Sequence, residues 1–320
     1  MTSTAASVRP TSPAGSWRHP SPAWRRRALV ANLVAQVLIV GTGGAVRLTG
    51  SGLGCSTWPQ CEPGEFTPVM HEAATFHPFV EFGNRTLTGV LAVLAVLAAW
   101  AVWQRRDRST AHRMLGLFPL LGVVVQAVVG GVTVLVDLHP GVVAVHFLIS
   151  MALVAASTAL VLRDRETDGP SVPVVGPGVR PLARALVPLL VLVLVLGVVT
   201  TGAGPHSGDE EVAYRFALDP VAVARLHSAS VWLYVAAVAA VVVLTRRSSQ
   251  AAVAAAAGVP SSRTRHAALV LLGVALAQGL VGYVQYLTGL PAVLVGVHMI
   301  GASLLVIAQV RQTLSLRVRT

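Results

Sequence analysis

Eight apolar runs, each close to the length that crosses a bilayer, constrain the fold of this chain more than any other feature of its sequence. The runs lie at residues 28–46, 80–103, 114–136, 141–162, 182–201, 221–245, 267–287 and 292–310. About 20 apolar residues span the hydrocarbon core, and lipid offers no partner for an open backbone, so each run is predicted to be a transmembrane helix. Composition agrees, since 54% of the 320 residues are hydrophobic and 12% are charged. The sequence therefore predicts an all-α integral membrane protein.

The basic residues indicate how these helices are oriented. All 24 are arginines, and 20 of them lie in the two terminal tails and in the segments 104–113, 163–184 and 246–265. Because positive residues accumulate on the cytoplasmic side, both termini are predicted to be cytoplasmic. Their division into short clusters between apolar runs argues against a nucleic-acid-binding protein, despite the net charge of +11. A cleaved signal peptide over residues 25–46 is disfavoured, because no small-residue cleavage site follows a short apolar core.

The second half of the chain repeats the first. A shift of 152 residues superposes Gln126 on Gln278, Gly130 on Gly282, Leu135 on Leu287, Leu138 on Leu290, Val145 on Val297 and His146 on His298. Two tandem four-helix bundles are therefore predicted, and because each has an even number of spans, their pseudo-two-fold axis runs along the membrane normal. The predicted parts are a disordered cytoplasmic tail (1–27), an N-terminal bundle (28–162), a cytoplasmic linker (163–181), a C-terminal bundle (182–310) and a cytoplasmic tail (311–320).

Three histidines lie inside the apolar runs, where an ionisable side chain is costly and suggests function. His146 and His298 occupy equivalent positions in the repeat, and His227 lies at a similar depth in the sixth run. Two neutral imidazoles on different helices of one bundle suit the axial positions of a haem, which His227 and His298 can supply within the C-terminal bundle. The alternative is a neutral histidine that hydrogen-bonds to a neighbouring helix. No carboxylate cluster accompanies them, as a hard-metal or proton-relay site would require.

The segment after the first run, GGAVRLTGSGLGCSTWPQC at residues 43–61, contains the two cysteines of the chain, Cys55 and Cys61. They lie in an extracytoplasmic loop, an oxidising location in bacteria, so a disulfide is predicted, of structural or redox-active type. Two free thiols or a metal-binding pair are the alternatives. The glycines do not indicate a dinucleotide loop, because no strand precedes them and no crossover helix follows.

The motifs VRLTGSGLGCSTWPQC, VEFGNRTLTG, HPGVVAVHFLISMAL and GVHMIGASLL together resemble the haem A synthase family over residues 28–310. The resemblance implies an oxidoreductase that converts one methyl group of haem O to a formyl group, through successive hydroxylations and loss of water. It implies a haem b cofactor with His227 and His298 as axial ligands, a substrate haem site that involves His146, an essential glutamate at Glu81 and the cysteine pair Cys55 and Cys61.

The same resemblance implies a location in the bacterial plasma membrane. It makes haem O the substrate, membrane lipid the surroundings and a haem O synthase a candidate partner, and it requires a membrane electron acceptor that the residues do not identify. Two other classes compete with this interpretation, a quinone-linked dihaem b-type electron-transfer protein and a transporter with a parallel repeat. A transporter is expected to have broken helices with polar residues near the midplane, whereas the polar residues here cluster toward the outer third.

The chain departs from the family pattern in the second run. Many members have E-x-x-H there, and this chain has Glu81 followed by Asn84, whose amide cannot match imidazole as an iron ligand. His77, Glu81 and Asn84 are spaced to share one helix face, so His77 is predicted to replace the missing ligand opposite His146, with Asn84 hydrogen-bonding in the substrate site. His71 is the weaker substitute. The alternative is a surface position for His77 and a single protein ligand for the substrate iron.

Further charged residues accompany these histidines near the outer face. Glu81 can act catalytically by managing protons, or it can form only a salt bridge to Arg85, four residues later on the same helix. Guanidinium groups suit carboxylates, so the four outer-face arginines are candidates to bind haem propionates. These arginines are Arg47, Arg85, Arg215 and Arg225. Ordinary loop or headgroup charge is the alternative role for each.

Overall fold

The computed structural model describes residues 20–69, 76–209, 214–246, 258 and 262–319. Within these ranges the helices are α1 (Pro22–Leu48), α2 (His77–Trp103), α3 (Thr110–Leu135), α4 (Pro140–Arg163), α5 (Arg180–Ala203), α6 (Pro220–Leu244), α7 (Ser262–Leu287) and α8 (Ala292–Ser315). All eight are long and apolar enough to cross a membrane. Large apolar side chains such as Leu121 and Leu280 lie exposed on the outer surface, as lipid contact requires. The predicted class, an all-α multi-pass membrane protein, is confirmed.

Local sequence explains where several helices begin. Ser21 caps α1, Asp219 caps α6, and each is followed by a proline at the first helical position. The Asp219 carboxylate accepts hydrogen bonds from the backbone N–H groups of Val221 and Ala222. A proline at this position loses no helical hydrogen bond, because the first N–H groups of a helix have no partner within it.

Several helices extend beyond the apolar runs that predicted them. Helix α1 begins at Pro22 instead of residue 28, and α8 continues to Ser315 instead of 310. The added turns carry arginines, whose long side chains keep their charge near the membrane surface while the backbone continues as helix. Residues 22–27, predicted to belong to a disordered tail, are therefore helical, and the rest of that tail up to residue 19 lies outside the described residues.

The helices close two four-membered groups. Helix α1 packs against α2 and α4, and α3 packs against both of these; in the second half α5 contacts α6 and α8, and α7 contacts both of these. Helices α4 and α8 are the main contact between the two groups, with α1 against α8 beside it. The packing fits the predicted pair of four-helix bundles, whose axis along the membrane normal stays a prediction.

The repeat predicted from sequence recurs in the tight turns between α3 and α4 and between α7 and α8. Leu138 and Leu290, which the shift of 152 residues superposes, both have positive φ, 57° and 60°. Their backbone N–H groups donate to equivalent carbonyls, those of Thr133 at 2.8 Å and Gln285 at 2.7 Å. The two hairpins therefore share one backbone conformation.

Ion pairs join the segments at one end of the helices. Arg25 contacts Asp164 at 2.8 Å, Arg108 contacts Asp168 at 2.9 Å, and Arg317 contacts Glu166 at 3.2 Å. The start of α1, the α2–α3 connection, the α4–α5 connection and the C-terminal segment therefore lie on the same side.

A short antiparallel sheet strengthens this end. Strand β1 (Ser171–Pro173), in the segment predicted to be a linker, pairs with β2 (Arg317–Arg319), in the segment predicted to be a tail. Neither strand could be predicted from a run of only three residues, because the pairing depends on a partner far away in sequence.

Candidate functional site

One cavity of about 1030 Å³ extends across both halves of the molecule. It is at the upper end of the range usual for ligand pockets. Its walls are mainly apolar, and the histidines among its described lining residues are His146, His227 and His298. All three histidines predicted from sequence as buried functional groups therefore face the same space.

His227 on α6 and His298 on α8 face each other inside the C-terminal half. Their ring centroids are 6.5 Å apart, and the ring planes are nearly perpendicular at 85°. A metal–nitrogen bond is about 2 Å and the imidazole centre lies about 1 Å beyond it, so two axial imidazoles on one metal ion have centroids roughly 6 Å apart. The pair therefore fits the two axial positions of one haem iron.

Each of these histidines lies against a glycine of the neighbouring helix. A Cβ atom added to Gly282 of α7 would lie 3.4 Å from Cε1 of His298, and one added to Gly197 of α5 would lie 3.2 Å from Cε1 of His227. Because both glycines lack a side chain, the rings fit between the helices. Nδ1 of His298 is buried without a hydrogen-bond partner among the described residues, so no protein group there competes with a ligand for this ring.

His146 repeats this arrangement in the N-terminal half. Its Cε1 would lie 3.3 Å from a Cβ atom on Gly130 of α3. The amide of Gln126 donates to the backbone carbonyl of His146 at 3.0 Å, and the amide of Gln278 donates to that of His298 at 2.9 Å. The repeat seen in sequence is therefore a repeat of the local structure around each histidine.

The polar residues that line the cavity with His146 distinguish the two halves. Asn84 of α2 lines the cavity, and its side-chain oxygen accepts a hydrogen bond from the Thr42 hydroxyl at 2.8 Å. The described lining residues include no second histidine in the N-terminal half. The donor set therefore fits a haem with two histidine ligands in the C-terminal half and a haem with one histidine ligand in the N-terminal half.

Glu81 lies between the cavity and the loop after α1 that contains Cys55 and Cys61, here called the cysteine loop. Its side chain is buried, at 6% exposure, and its Oε2 accepts the backbone N–H of Cys55 at 2.7 Å. Its Oε1 accepts hydrogen bonds from the guanidinium of Arg85. The predicted i,i+4 salt bridge is therefore present, and the same carboxylate also holds the loop and lines the cavity.

The loop after α1 covers this end of the N-terminal half. Cys55 and Cys61 form a disulfide, as predicted, and both are fully buried. Nη1 of Arg85 donates to the carbonyls of Thr57 and Gln60 at 3.0 and 3.1 Å. The indole of Trp58 lies directly on Gly131 of α3 and contributes to the cavity wall.

His77 does not join the other predicted site residues. It is the first residue of α2, its Nδ1 lies 2.8 Å from the hydroxyl of Ser51, and it is not among the residues that line the cavity. The spacing puts His77 on one helix face with Glu81 and Asn84, but the loop lies against the start of α2 and this ring contacts the loop instead of the cavity. The geometry thus favours the alternative of a single protein ligand, and His71 lies outside the described residues.

Of the outer-face arginines, Arg47, Arg85 and Arg225 line the cavity and Arg215 does not. Arg47 already donates to the backbone carbonyls of His206 at 2.7 Å and Thr201 at 3.2 Å. It thereby ties α1 of the first half to the end of α5 in the second. Arg225 is exposed at the cavity rim, where a propionate would reach it.

Tyr234 is a cavity residue that the sequence reasoning missed. It lies seven residues after His227 on the same face of α6, is 1% exposed, and its hydroxyl donates to the side chain of Gln309 at 2.6 Å. Its helical spacing from His227 was the signal that could have revealed it. Trp58 offered no such signal, because its position depends on the path of a long loop.

Two curated relatives have names that bear on function. The chain is 30% identical over 152 residues to a protein of Lysinibacillus sphaericus (strain C3-41) named "Heme A synthase", covering 45% of this chain and 47% of the relative. It is 31% identical over 149 residues to a Bacillus mycoides (strain KBAB4) protein of the same name, covering 45% and 46%. The matched segment spans about half the length of these curated relatives.

A family model accounts for nearly all of the membrane-embedded chain. The model, described as "Cytochrome oxidase assembly protein", matches residues 26–310. This range includes both histidine sites, the cysteine loop and all eight apolar runs. The resemblance read from the sequence motifs is confirmed, and the chain belongs to the COX15-CtaA family of cytochrome oxidase assembly proteins, in which haem A synthases are found.

Proposed function

We propose that this protein is a haem A synthase, which oxidises one methyl group of haem O to a formyl group. The observation that carries the proposal is the inequality of two related sites in one cavity, a histidine pair in one half and a single histidine in the other. A resident cofactor benefits from two ligands, and a substrate must be able to leave. Family membership and the names of the relatives support the same activity.

The C-terminal half is the proposed cofactor site. His227 and His298 would hold haem b, which when bound supplies a one-electron redox centre. Gln278 fixes the backbone of α8 at His298, and Gly197 and Gly282 leave room for the two rings. These residues would orient the two imidazoles toward the cofactor.

The N-terminal half is the proposed substrate site. His146 would bind the iron of haem O, and Asn84, held by the Thr42 hydroxyl, would line the same site without ligating the iron. Among the described lining residues of this half, His146 is the one histidine that could hold the substrate. The rim arginine Arg225 belongs to α6, so it would pair with a propionate of the haem in the C-terminal half.

Glu81 is the proposed catalytic carboxylate. Oxidation of a methyl group to a formyl group releases protons, and a carboxylate in the cavity wall can take up a proton at its oxygen atoms. Arg85 and the Cys55 backbone N–H hold this carboxylate in one orientation toward the cavity. Its contacts with the loop add a structural function at the same position.

The proposed setting is the plasma membrane of a bacterium, with both termini in the cytoplasm. Haem O would reach the protein from the lipid phase, and a haem O synthase is a candidate partner for its delivery. An electron acceptor in the membrane would complete the oxidation.

Pigment extraction tests the proposal. The protein is expressed with a haem O synthase, purified, and its pigments are separated by chromatography, with His146→Ala as the matched variant. Haem A together with haem O and haem B is expected, and His146→Ala is expected to retain haem B and lose haem A. Haem B alone in the unaltered protein would indicate an electron carrier instead, and absence of haem would contradict both.

A further inference from the structure

In each half of the molecule, the boundary (here called the seam) between the second and third helices is covered in a different way. These helices are α2 and α3 in the N-terminal half and α6 and α7 in the C-terminal half. In the N-terminal half, the seam between α2 and α3 is covered by the cysteine loop, because Arg85 of α2 binds the carbonyls of Thr57 and Gln60 while Trp58 lies on Gly131 of α3. The tryptophan is thus a bridge from one helix to the next that neither helix supplies itself.

In the C-terminal half, the corresponding seam is closed by side chains of the helices. Tyr283 of α7 is the repeat equivalent of Gly131, 152 residues later. Its hydroxyl lies 3.0 Å from that of Ser228 and 2.9 Å from Nε1 of Trp232, both on α6. All three line the cavity, so this side of the cofactor site is closed by hydrogen bonds between two membrane helices.

Gly131 is what allows the loop to substitute for such a side chain. An added Cβ atom there would lie 2.5–2.9 Å from three atoms of the Trp58 indole. A helix residue larger than glycine would therefore displace the tryptophan. Gly131 and Trp58 therefore depend on each other. The indole from the loop occupies the space at α3 that the Tyr283 side chain occupies at α7 in the other half.

Trp58 lies at the boundary between the cavity and the outside. It lines the cavity and is nevertheless 36% exposed. The helix surface beside it is apolar, with Val128 and Val132 of α3 at 54% and 39% exposure. A gap at Trp58 would therefore open toward lipid, the phase in which a flat apolar porphyrin dissolves.

We propose that Trp58 seals a lateral passage between α2 and α3, through which a tetrapyrrole moves between the bilayer and the N-terminal half of the cavity. This inference rests on the proposed function, since it assigns the passing haem to that half. Opening requires the indole to leave Gly131 and Arg85 to release the carbonyls of Thr57 and Gln60. The equivalent opening in the C-terminal half would require Tyr283 to lose its hydrogen bonds to α6.

The test measures haem release. Protein in lipid nanodiscs is loaded with haem O, mixed with excess apomyoglobin, and the transfer of haem is followed by absorbance. The haem of the N-terminal half is the fraction that His146→Ala abolishes. The haem that this variant retains, assigned to the C-terminal half, is the second fraction. Trp58→Ala is expected to accelerate release of that fraction at least about tenfold, as loss of a well-packed aromatic contact allows, and to leave release of the second fraction unchanged.

Two further variants make the result specific. Trp24→Ala removes an indole that packs on Trp100 elsewhere in the bundle, with ring centroids 5.4 Å apart, and should leave both release rates unchanged. Tyr283→Gly recreates in the C-terminal half the gap that Gly131 leaves, and should accelerate release of the second fraction only.

Three results would overturn the inference. The first is an unchanged release rate in Trp58→Ala while haem A formation in the unaltered protein succeeds, which would leave the proposed function standing. The second is equal acceleration in Trp24→Ala, which would indicate general loosening. The third is the absence of any haem fraction that depends on His146, which would overturn the proposed function as well.

Discussion

Each of the three cavity histidines lies against a glycine on an adjacent helix, and this contact determines how much room the imidazole has. The added-Cβ distances of 3.2 Å at Gly197 and 3.3 Å at Gly130 are tighter than ordinary van der Waals contact, so alanine at these two glycines would displace the rings, whereas the 3.4 Å at Gly282 is ordinary contact. The position of each imidazole is thus fixed by a missing side chain on the neighbouring helix as much as by the histidine itself.

Removal of one imidazole should abolish the cofactor signal. We expect His298→Ala to eliminate the low-spin bis-histidine spectrum of haem b, because His227 alone leaves one axial position unfilled. Absorbance and electron paramagnetic resonance of the purified protein measure this. His139→Ala, which alters only the exposed cap of α4, should keep the spectrum. An unaltered spectrum in His298→Ala would show that the cofactor is held elsewhere.

The proposed catalytic function of Glu81 and its contact with the loop can be separated by an isosteric change. Glu81→Gln retains an oxygen that can accept the Cys55 N–H but cannot take up a proton as the carboxylate does. We expect haem A formation to fall by about 100-fold or more, the usual contribution of acid–base catalysis, with haem b content unchanged. Alkylation of Cys55 and Cys61 should still require a reductant. Near-normal turnover would leave Glu81 only the function of holding the loop.

At the scale of elements, the connection between α4 and α5 forms ion pairs with the other segments at the arginine-rich end of the molecule. Its three acidic residues, Asp164, Glu166 and Asp168, bind arginines from α1, the α2–α3 connection and β2. Arg108 is 6% exposed, and the Asp168 carboxylate balances its buried positive charge. The same carboxylate also accepts the backbone N–H of Ser109. These contacts hold the pKa of Asp168 well below its usual range.

The lowered pKa of Asp168 predicts in which direction the stability of the protein changes with pH. A carboxyl with a lowered pKa in the folded state stabilises the protein fully above its unfolded pKa of about 3.9 and loses that contribution as the pH falls toward the folded value. We expect Asp168→Asn to lower the free energy of unfolding at pH 7 by about 1–2 kcal/mol, because Arg108 loses its charged partner. Thermal unfolding in detergent at pH 7 measures this loss, and at pH 4, which is still well above the folded pKa, most of the difference should remain. Asp107→Asn, at an exposed position, is the control, and an equal loss in both variants would contradict the assignment.

At the scale of the whole molecule, contacts at the two ends agree with the arginine distribution. The ion pairs gather α1, the α2–α3 connection, the α4–α5 connection and β2 at one end. At the other end, the loop after α1 reaches the second half, where the Gly52 N–H donates to the carbonyl of Gly208 at 2.8 Å. These connections therefore group at the two ends as their arginine content predicts.

Reporter fusions test the orientation itself. A reporter active only in the cytoplasm should be active when fused after residue 106, 168 or 316 and inactive when fused near residue 64, because arginine-rich segments remain in the cytoplasm. An active fusion near residue 64 would reverse the assignment of both termini. A reporter active only outside the cytoplasm, fused at the same positions, should give the opposite pattern.

The sequence predicted what depends on local pattern and on the repeat. Apolar length gave the helices, and the superposition of His146 on His298 located two related sites whose glutamine and glycine neighbours also match. The sequence did not predict what depends on the path of the cysteine loop. His77 shares a helix face with Glu81, yet the loop contacts it through Ser51 and keeps it out of the cavity.

The glutamine contacts bear on the order in which this protein assembles. Gln126 and Gln278 bind the backbone carbonyls of His146 and His298, so they fix the spacing of two helix pairs without using the imidazole rings. Binding of a haem therefore need not be coupled to folding, unlike the metal domains that are unfolded without their ion. A scaffold held by such contacts lowers the conformational entropy that porphyrin binding would have to remove, so the two glutamines would favour binding without contacting the iron.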